Sequence, residues 1–240
     1  MKINVHYLLF GLLAVSLFSC KKDCNETPQK EVKTITLQPG SKDGQDCIVA
    51  YRETDEGRSA NTNHSGNPDI DMSAWTYYAE DWGPGANRTY LQFTGLSSLP
   101  ENAVVKSAKL SLFGLHEGEF NASPQGNSYY PGSPYERFGA NNAWIKEVTG
   151  AWEESTITWN SKPATIDDNQ VAIPASATRY DYSVELNVTA MVKHMVDNNS
   201  NHGFCLQLDT EEYYRCLSFC GSEATDQARH PKLVVEYTEE

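Results

Sequence analysis

Helical periodicity is nearly absent from this sequence beyond its first twenty residues. Short β-prone runs alternate instead with Gly, Pro, Asn and Asp, and strands do not alternate with helices in a βαβ rhythm. These absences argue against helical-bundle and α/β folds and favour an all-β domain.

Basic residues are in the minority. The chain has 19 Lys and Arg against 32 Asp and Glu, which gives a net charge of −13. Because a nucleic-acid surface is expected to be basic, this balance argues against a nucleic-acid partner. After the apolar run at residues 8–18, no stretch reaches membrane-spanning length, so a membrane contact is predicted through the N-terminus only.

A recognisable catalytic constellation is also missing. Glu153 with Glu154, and Glu211 with Glu212, are adjacent acids. On a strand, adjacent side chains point to opposite faces and do not flank one glycosidic bond. The histidines have no triad-like context. We therefore predict a protein that is not an enzyme, and a polysaccharide lyase or hydrolase is the less favoured alternative.

The N-terminus has the pattern of an export signal. A basic start and a short apolar run end in LFSC at residues 17–20, which resembles a bacterial lipoprotein cleavage box. We expect residues 1–19 to be a signal peptide, Cys20 to carry acyl chains such as palmitate, and residues 20–32 to be a tether. The charged residues after Cys20 resemble those of surface-exported lipoproteins, which predicts a surface-exposed outer-membrane lipoprotein.

Six cysteines are present, and five remain if Cys20 is acylated. Export permits disulfides, but five cysteines cannot all pair. Cys205 and Cys216 flank a predicted hairpin loop and form the predicted disulfide. The Cys216 and Cys220 pair lacks a second pair at ligand spacing, so zinc is not predicted.

Patterning predicts an antiparallel two-sheet jelly-roll sandwich with one short helix. Ala108, Leu110 and Leu112 alternate with polar residues, which is typical of a half-buried strand. Apolar residues between Val188 and Val196 recur every four positions and predict the helix. The predicted strands are 34–37, 47–51, 89–93, 105–112, 143–148, 157–159, 182–188, 204–208, 215–219 and 232–237.

Five segments carry a family resemblance. They are residues 88–113, AWEESTITWNSKP at 151–163, LNVTAMVKHMVDN at 186–198, HGFCLQL at 202–208 and SEATDQARHPKLVVEY at 222–237. In this order they resemble DNRLRE (disaggregatase-related) domains, also classed as carbohydrate-binding module family 96. The resemblance covers nearly all of the predicted domain at 33–240. It implies a jelly roll on an extracellular protein, with glycan binding as in some members, and makes Trp152 and Trp159 packing residues.

Glycan binding needs exposed rings for stacking and polar side chains for the sugar hydroxyls. Two aromatic clusters qualify, the second within residues 116–142, which look like an insertion into the family pattern. We expect replacement of Trp75 or Trp82 to weaken binding and to leave the melting temperature nearly intact. Capping of the sandwich ends is the alternative role for these rings. The candidates are Trp75, Tyr77, Tyr78, Asp81 and Trp82 in the first cluster, Tyr129, Tyr130, Tyr135 and Arg137 in the second, and Arg88 as a local cation.

No cofactor is required by this chemistry, but a structural Ca²⁺ is a candidate. Asp69 and Asp71 are two residues apart and follow Asn67. Calcium takes about six to eight oxygens, many from backbone carbonyls, and this pattern lacks the Gly and terminal Glu of an EF-hand loop. Solvated loop acids are the alternative interpretation.

The leading hypothesis is a surface lipoprotein that binds polysaccharide, with glycan-degrading or transport proteins as possible companions. The acidic charge favours neutral glycans over uronates. An adhesin or structural surface protein with a protein or matrix partner is the alternative.

Overall fold

The structure is a computed structural model that describes residues 30–40 and 42–240. Residues 31–240 form one compact unit. The predicted signal peptide, Cys20 and most of the predicted tether lie outside the described residues, so those expectations stay predictions. Within the described part of the chain, no helix is long and apolar enough to cross a membrane.

Eleven strands and two α-helices organise the described residues. The helices are α1 (Arg58–Asn61), a single turn, and α2 (Thr189–Asp197). The strands are β1 (Lys33–Leu37), β2 (Gln45–Arg52), β3 (Asp69–Trp75), β4 (Gly85–Gln92), β5 (Ala103–Leu112), β6 (Ala143–Val148), β7 (Thr165–Ile173), β8 (Val184–Asn187), β9 (Phe204–Leu208), β10 (Arg215–Cys220) and β11 (Lys232–Glu239).

These strands form two antiparallel sheets. The smaller sheet has the order β1-β11-β5-β8, and the larger has the order β10-β3-β4-β9-β6-β7, with β2 paired to β4. Strand β4 pairs with β2 over its whole length on one side. On its other side its first residues pair with β3 and its last residues with β9. The predicted all-β sandwich with one substantial helix is confirmed.

The main core is built by alternating side chains from both sheets. In β5, Ala108, Leu110 and Leu112 are fully buried, whereas Lys109 is exposed, as the period-2 pattern predicts. Helix α2 adds Met191, Val192 and Met195 to the same core.

The tryptophan segment at 151–163 packs on a second, smaller cluster. Trp152 lies edge-on to Tyr90 with ring centroids 5.8 Å apart, and its Nε1 donates to the carbonyl oxygen of His202 at 2.9 Å. The predicted strand at 157–159 is wrong. The N–H groups of Thr156 and Ile157 donate to the carbonyl of Glu153, so local turns take the hydrogen bonds that a sheet would need.

Two strands were absent from the sequence-based prediction. Strand β3 reads DIDMSAW, in which Ile70 and Met72 enter the core while Asp69, Asp71 and Ser73 alternate with them. Aspartate is depleted in strands, which hides this alternation. Strand β7 contains Asp167, Asp168 and Asn169 and is hidden for the same reason.

The predicted Cys205–Cys216 disulfide is wrong, because both thiols are free. The hairpin that would have joined them does not form: β9 pairs with β4 and β6, whereas β10 pairs with β3. The Cys205 side chain packs with Tyr90 and Trp152, and the Cys216 Sγ instead donates to Asp71 Oδ1 at 3.6 Å.

Candidate functional site

Strand β3, which leads into the candidate site, contains a buried carboxylate. Asp71 on β3 is fully buried. Its Oδ2 accepts from Ser73 Oγ at 2.6 Å and from Asn87 Nδ2 at 2.8 Å, and its Oδ1 accepts from Ser218 Oγ at 2.7 Å. One side chain thus joins β3, β4 and β10, and its burial is compensated by donors on three strands.

Residues 75–82 form the aromatic loop directly after β3. The extended backbone ends at Trp75, and Tyr77 and Asp81 adopt left-handed conformations with φ of 48° and 59° around a short 3₁₀ turn. The loop is held to the chain after β2, because Thr54 N donates to the carbonyl of Trp82 at 3.1 Å. The segment therefore forms a tight loop, and its rings line one cavity.

The close return of this loop to β2 depends on Gly85. A Cβ atom at Gly85 would lie 2.1 Å from the carbonyl oxygen of Tyr51. Any larger residue would push β4 away from β2 at the point where the loop begins and ends.

A pocket of about 430 Å³ opens between the aromatic loop and the segment at residues 116–142, which we call the inserted segment. Tyr78 is 66% exposed and Trp82 is 38% exposed, so ring surface is accessible to a ligand. The volume lies in the range of small-ligand sites. We call this cavity the aromatic pocket; it is lined by Arg52, Trp75, Thr76, Tyr77, Tyr78, Ala79, Trp82, Ala122, Ser123, Pro124 and Gln125.

Arg52 forms the cationic edge of the aromatic pocket. Its Nη2 donates to Asn87 Oδ1 at 2.9 Å, and its guanidinium carbon lies 3.6 Å from the centroid of the Tyr77 ring. Burial raises the pKa of Tyr77 to about 12 although Arg52 opposes that shift. Tyr77 is therefore a neutral phenol at physiological pH, and its ring is fixed by a cation–π contact.

The two predicted aromatic clusters meet in the structure. Trp75 lies edge-on to Tyr135, with centroids 4.8 Å apart, and edge-on to Tyr214 at 5.1 Å. Tyr214 also packs at 4.5 Å from Phe138. Trp75 therefore shares its ring surface between the aromatic pocket and this stack.

The other predicted ligand residues have different surroundings. Arg88 pairs with Glu211 through two hydrogen bonds of 2.7 and 3.0 Å, and Arg137 lies over Phe138. Asp81 is exposed in the aromatic loop but does not line the pocket. Tyr129 and Tyr130 are half-buried in the inserted segment.

Sequence reasoning missed several residues of this region, among them Arg52, Gln125 and Tyr214. Arg52 and Gln125 line the aromatic pocket, and Tyr214 completes the stack on Trp75. All three are distant in sequence from residues 75–82. The pairing of β2 with β4 could have suggested Arg52, but Gln125 carried no sequence signal.

The predicted calcium ligands, Asp69 and Asp71, accept several hydrogen bonds from the protein. Asp71 has both carboxylate oxygens engaged by protein donors, and Asp69 Oδ2 accepts from the N–H groups of Asn121 and Ala122 at 3.0 and 2.9 Å. No group of three or more metal-ligating acids, histidines or cysteines occurs among the described residues. Of the four carboxylate oxygens of Asp69 and Asp71, Asp69 Oδ1 alone has no hydrogen-bond partner among the described residues. These residues therefore do not fit a site that needs six to eight oxygens.

A second cavity, of about 560 Å³, has Glu223 and His230 among its lining residues. Burial, together with the negative charges of Asp46 and Glu154, raises the pKa of Glu223 to about 8. Trp, Tyr and Phe are not among the described residues that line it, so it lacks the stacking surface that the aromatic pocket offers a sugar.

One known family matches part of this chain. Residues 132–237 match the model of carbohydrate-binding module family 96, so this part of the chain is similar to that family. The matched residues include Tyr135 and Tyr214 of the aromatic stack. They do not include the aromatic loop or Gln125.

Distant curated relatives are also similar to this chain. The tRNA nuclease WapA of Bacillus subtilis (strain 168) is 26% identical over 165 residues, which is 68% of this chain and 6% of the relative. The tRNA3(Ser)-specific nuclease WapA of Bacillus spizizenii is 27% identical over the same share of each. The chain therefore spans about 6% of the length of these curated relatives.

Proposed function

We propose that this protein is a surface lipoprotein that binds polysaccharide without cleaving it, through the aromatic pocket. The observation that carries the proposal is the pocket between the aromatic loop and the inserted segment, in which Tyr78 and Trp82 expose ring surface beside polar groups. Sugars stack their C–H faces on such rings and direct their hydroxyls to polar side chains. The match to carbohydrate-binding module family 96 supports the same ligand class.

Non-catalytic binding is the form of this function that the site favours. Among the side chains that the structure describes, none that lines the aromatic pocket carries a carboxylate, whereas glycoside cleavage ordinarily uses two. The WapA relatives are named as nucleases, but the similarity covers 6% of their length. A match over so small a share does not extend nuclease activity to this chain, and the net charge of −13 gives nucleic acid no general attraction.

Binding at one such site is expected to be weak. A dissociation constant between millimolar and micromolar corresponds to roughly −4 to −8 kcal/mol. Anchoring by acyl chains at Cys20 would hold many copies on the outer membrane, where weak sites act together. The bound polysaccharide would then be concentrated for glycan-degrading enzymes or transporters.

Affinity electrophoresis against a panel of polysaccharides, with and without calcium, tests the proposal. We expect retardation by at least one neutral polysaccharide, no dependence on calcium, and loss of retardation in Trp82→Ala. Retardation by none of the panel, together with capture of a protein partner, would favour the adhesin alternative. Antibody labelling of intact cells tests the surface location, and unlabelled cells would contradict it.

A further inference from the structure

The wall of the aromatic pocket opposite the aromatic loop is a tight turn in the inserted segment. Gly126 N donates to the carbonyl oxygen of Ser123 at 2.9 Å, and Gly126 has a φ of 75°. The turn places Ser123, Pro124 and Gln125 on the pocket lining. Gln125 is the residue of this turn with a long hydrogen-bonding side chain.

The backbone of this turn is anchored on both sides of Gln125. The carbonyl of Gln125 accepts from Arg179 Nε at 2.9 Å, and Asn127 N donates to the carbonyl of Arg179 at 3.1 Å. Asn127 Oδ1 then accepts from Ser218 N on β10 at 2.9 Å. Gln125 is thus held in place relative to the sheet by its neighbours, without using its own side chain.

The side-chain amide of Gln125 forms no hydrogen bond to any residue that the structure describes. Its side chain is half-buried at the pocket lining. Arg52, in contrast, already donates to Asn87 Oδ1 and to the carbonyl of Tyr51. A primary amide offers donors and an acceptor side by side, which suits two adjacent hydroxyls, one accepting and one donating.

We propose that the side-chain amide of Gln125 forms hydrogen bonds to a pair of adjacent free hydroxyls on a pyranose ring that stacks in the aromatic pocket. This inference rests on the proposed polysaccharide binding and specifies its ligand class. Internal rings of 1→4-linked hexose polymers keep the 2- and 3-hydroxyls free. Internal rings of 1→3-linked polymers have no adjacent pair of free ring hydroxyls. The pocket therefore prefers 1→4-linked over 1→3-linked polymers of the same sugar.

The test compares matched 1→4-linked and 1→3-linked polymers of glucose, galactose and mannose by affinity electrophoresis. Polymers are used because chain ends, which carry additional free hydroxyls, are negligible in them. The proteins are the full chain, Gln125→Met, which keeps the length of the side chain without its hydrogen-bonding groups, and Gln125→Glu, which keeps acceptors and loses the donors. Gln227→Met is the matched control, since Gln227 is exposed and lines a different cavity.

We expect the wild type to prefer the 1→4-linked polymer in at least one pair. Gln125→Met should weaken that binding about tenfold and remove the preference, because two hydrogen bonds are lost. Gln125→Glu should weaken it less, and Gln227→Met should leave it unchanged. Unchanged binding by Gln125→Met, or a preference that survives in it, overturns this inference and leaves the proposed function standing. Failure of the wild type to bind any polymer overturns both.

Discussion

The Trp75 ring lies edge-on to the Tyr135 ring, with centroids 4.8 Å apart and planes at 71°. Trp75 ends β3 and Tyr135 belongs to the inserted segment, so this contact joins two regions sixty residues apart in sequence. Tyr214 approaches the same tryptophan from a third region. Trp75 is consequently a packing residue as well as a member of the aromatic pocket.

Trp75→Ala should destabilise the fold by roughly 2 kcal/mol, because it removes two edge-on ring contacts and leaves a partly open cavity. This differs from the sequence-based expectation of an unchanged melting temperature. Urea denaturation measures the change, and Trp75→Phe should recover much of it. A Trp75→Ala variant as stable as the wild type would show that the stack with Tyr135 and Tyr214 does not contribute.

Trp82→Ala should behave in the opposite way. Trp82 is 38% exposed, and no ring contact involving it is found among the described residues. Its loss should weaken polysaccharide binding about tenfold, a cost of about 1.4 kcal/mol, and shift the melting temperature by no more than about 2 °C. Tyr213→Ala is the control, since Tyr213 is another exposed ring that does not line the pocket. Equal losses of binding in both variants would argue against a specific site.

The sequence predicted the parts of this fold that follow simple periodicity. The alternation in β5 and the apolar stripe of α2 are direct consequences of one buried face, so both elements were predictable. Strand β3 was not, because acids alternate with its core residues, and their burial is compensated largely by partners on β4, on β10 and in the inserted segment. Those partners lie far away in sequence.

Of the candidate site, likewise, one part could be predicted from the sequence and another could not. Aromatic density in residues 75–82 identified one wall of the pocket from sequence alone. The opposite wall depends on how the inserted segment is anchored, through Asn127 to Ser218 and through Arg179 to Gln125. Each of these hydrogen bonds joins a side chain to a backbone group that is distant in sequence. No local pattern specifies such partners, which is why Gln125 could not have been identified beforehand.

Asp71→Ala should destabilise the protein by about 3 kcal/mol or more. The substitution leaves Asn87, Ser73 and Ser218 buried without their shared acceptor, and each unsatisfied group costs about 1–3 kcal/mol. Urea denaturation of this variant should be compared with that of Asp168→Ala, which removes an exposed acid from β7. If Asp71→Ala falls within 0.5 kcal/mol of that control, the hydrogen bonds around Asp71 are not important for stability.

EDTA should leave the wild-type melting temperature unchanged, since protein donors occupy both oxygens of Asp71.

Stability should fall as pH rises toward 8. The folded-state pKa of Glu223 is about 8 against an ordinary value of 4.5, mainly because of burial, and that of Asp69 is raised to about 6. A raised acid pKa means that the folded protein binds the proton more tightly than the unfolded chain. The contribution of protonated Glu223 to the free energy of unfolding is complete below pH 4.5 and is lost progressively as pH rises through 8.

Glu223→Gln tests this dependence because the amide stays neutral at every pH. Melting temperatures measured from pH 5 to 8.5 should decline less steeply in Glu223→Gln than in the wild type, and the variant should be the more stable protein at pH 8.5. Below pH 4.5 a separate loss is expected, because Arg229 lowers the pKa of Glu119 to about 2. Parallel curves for the two proteins between pH 5 and 8.5 would refute the assignment to Glu223.

The thiols of Cys47, Cys205, Cys216 and Cys220 should be unreactive while the protein is folded. All four are buried and free, and burial raises the pKa of Cys47 to about 12 and those of Cys205 and Cys220 to about 11. Because the thiolate is the reactive form, both access and ionisation oppose modification at neutral pH. Titration with a thiol reagent should detect four more thiols in denaturant than in buffer, in the absence of reductant. A smaller difference, with recovery of the missing thiols after reduction, would show that a disulfide joins two of them.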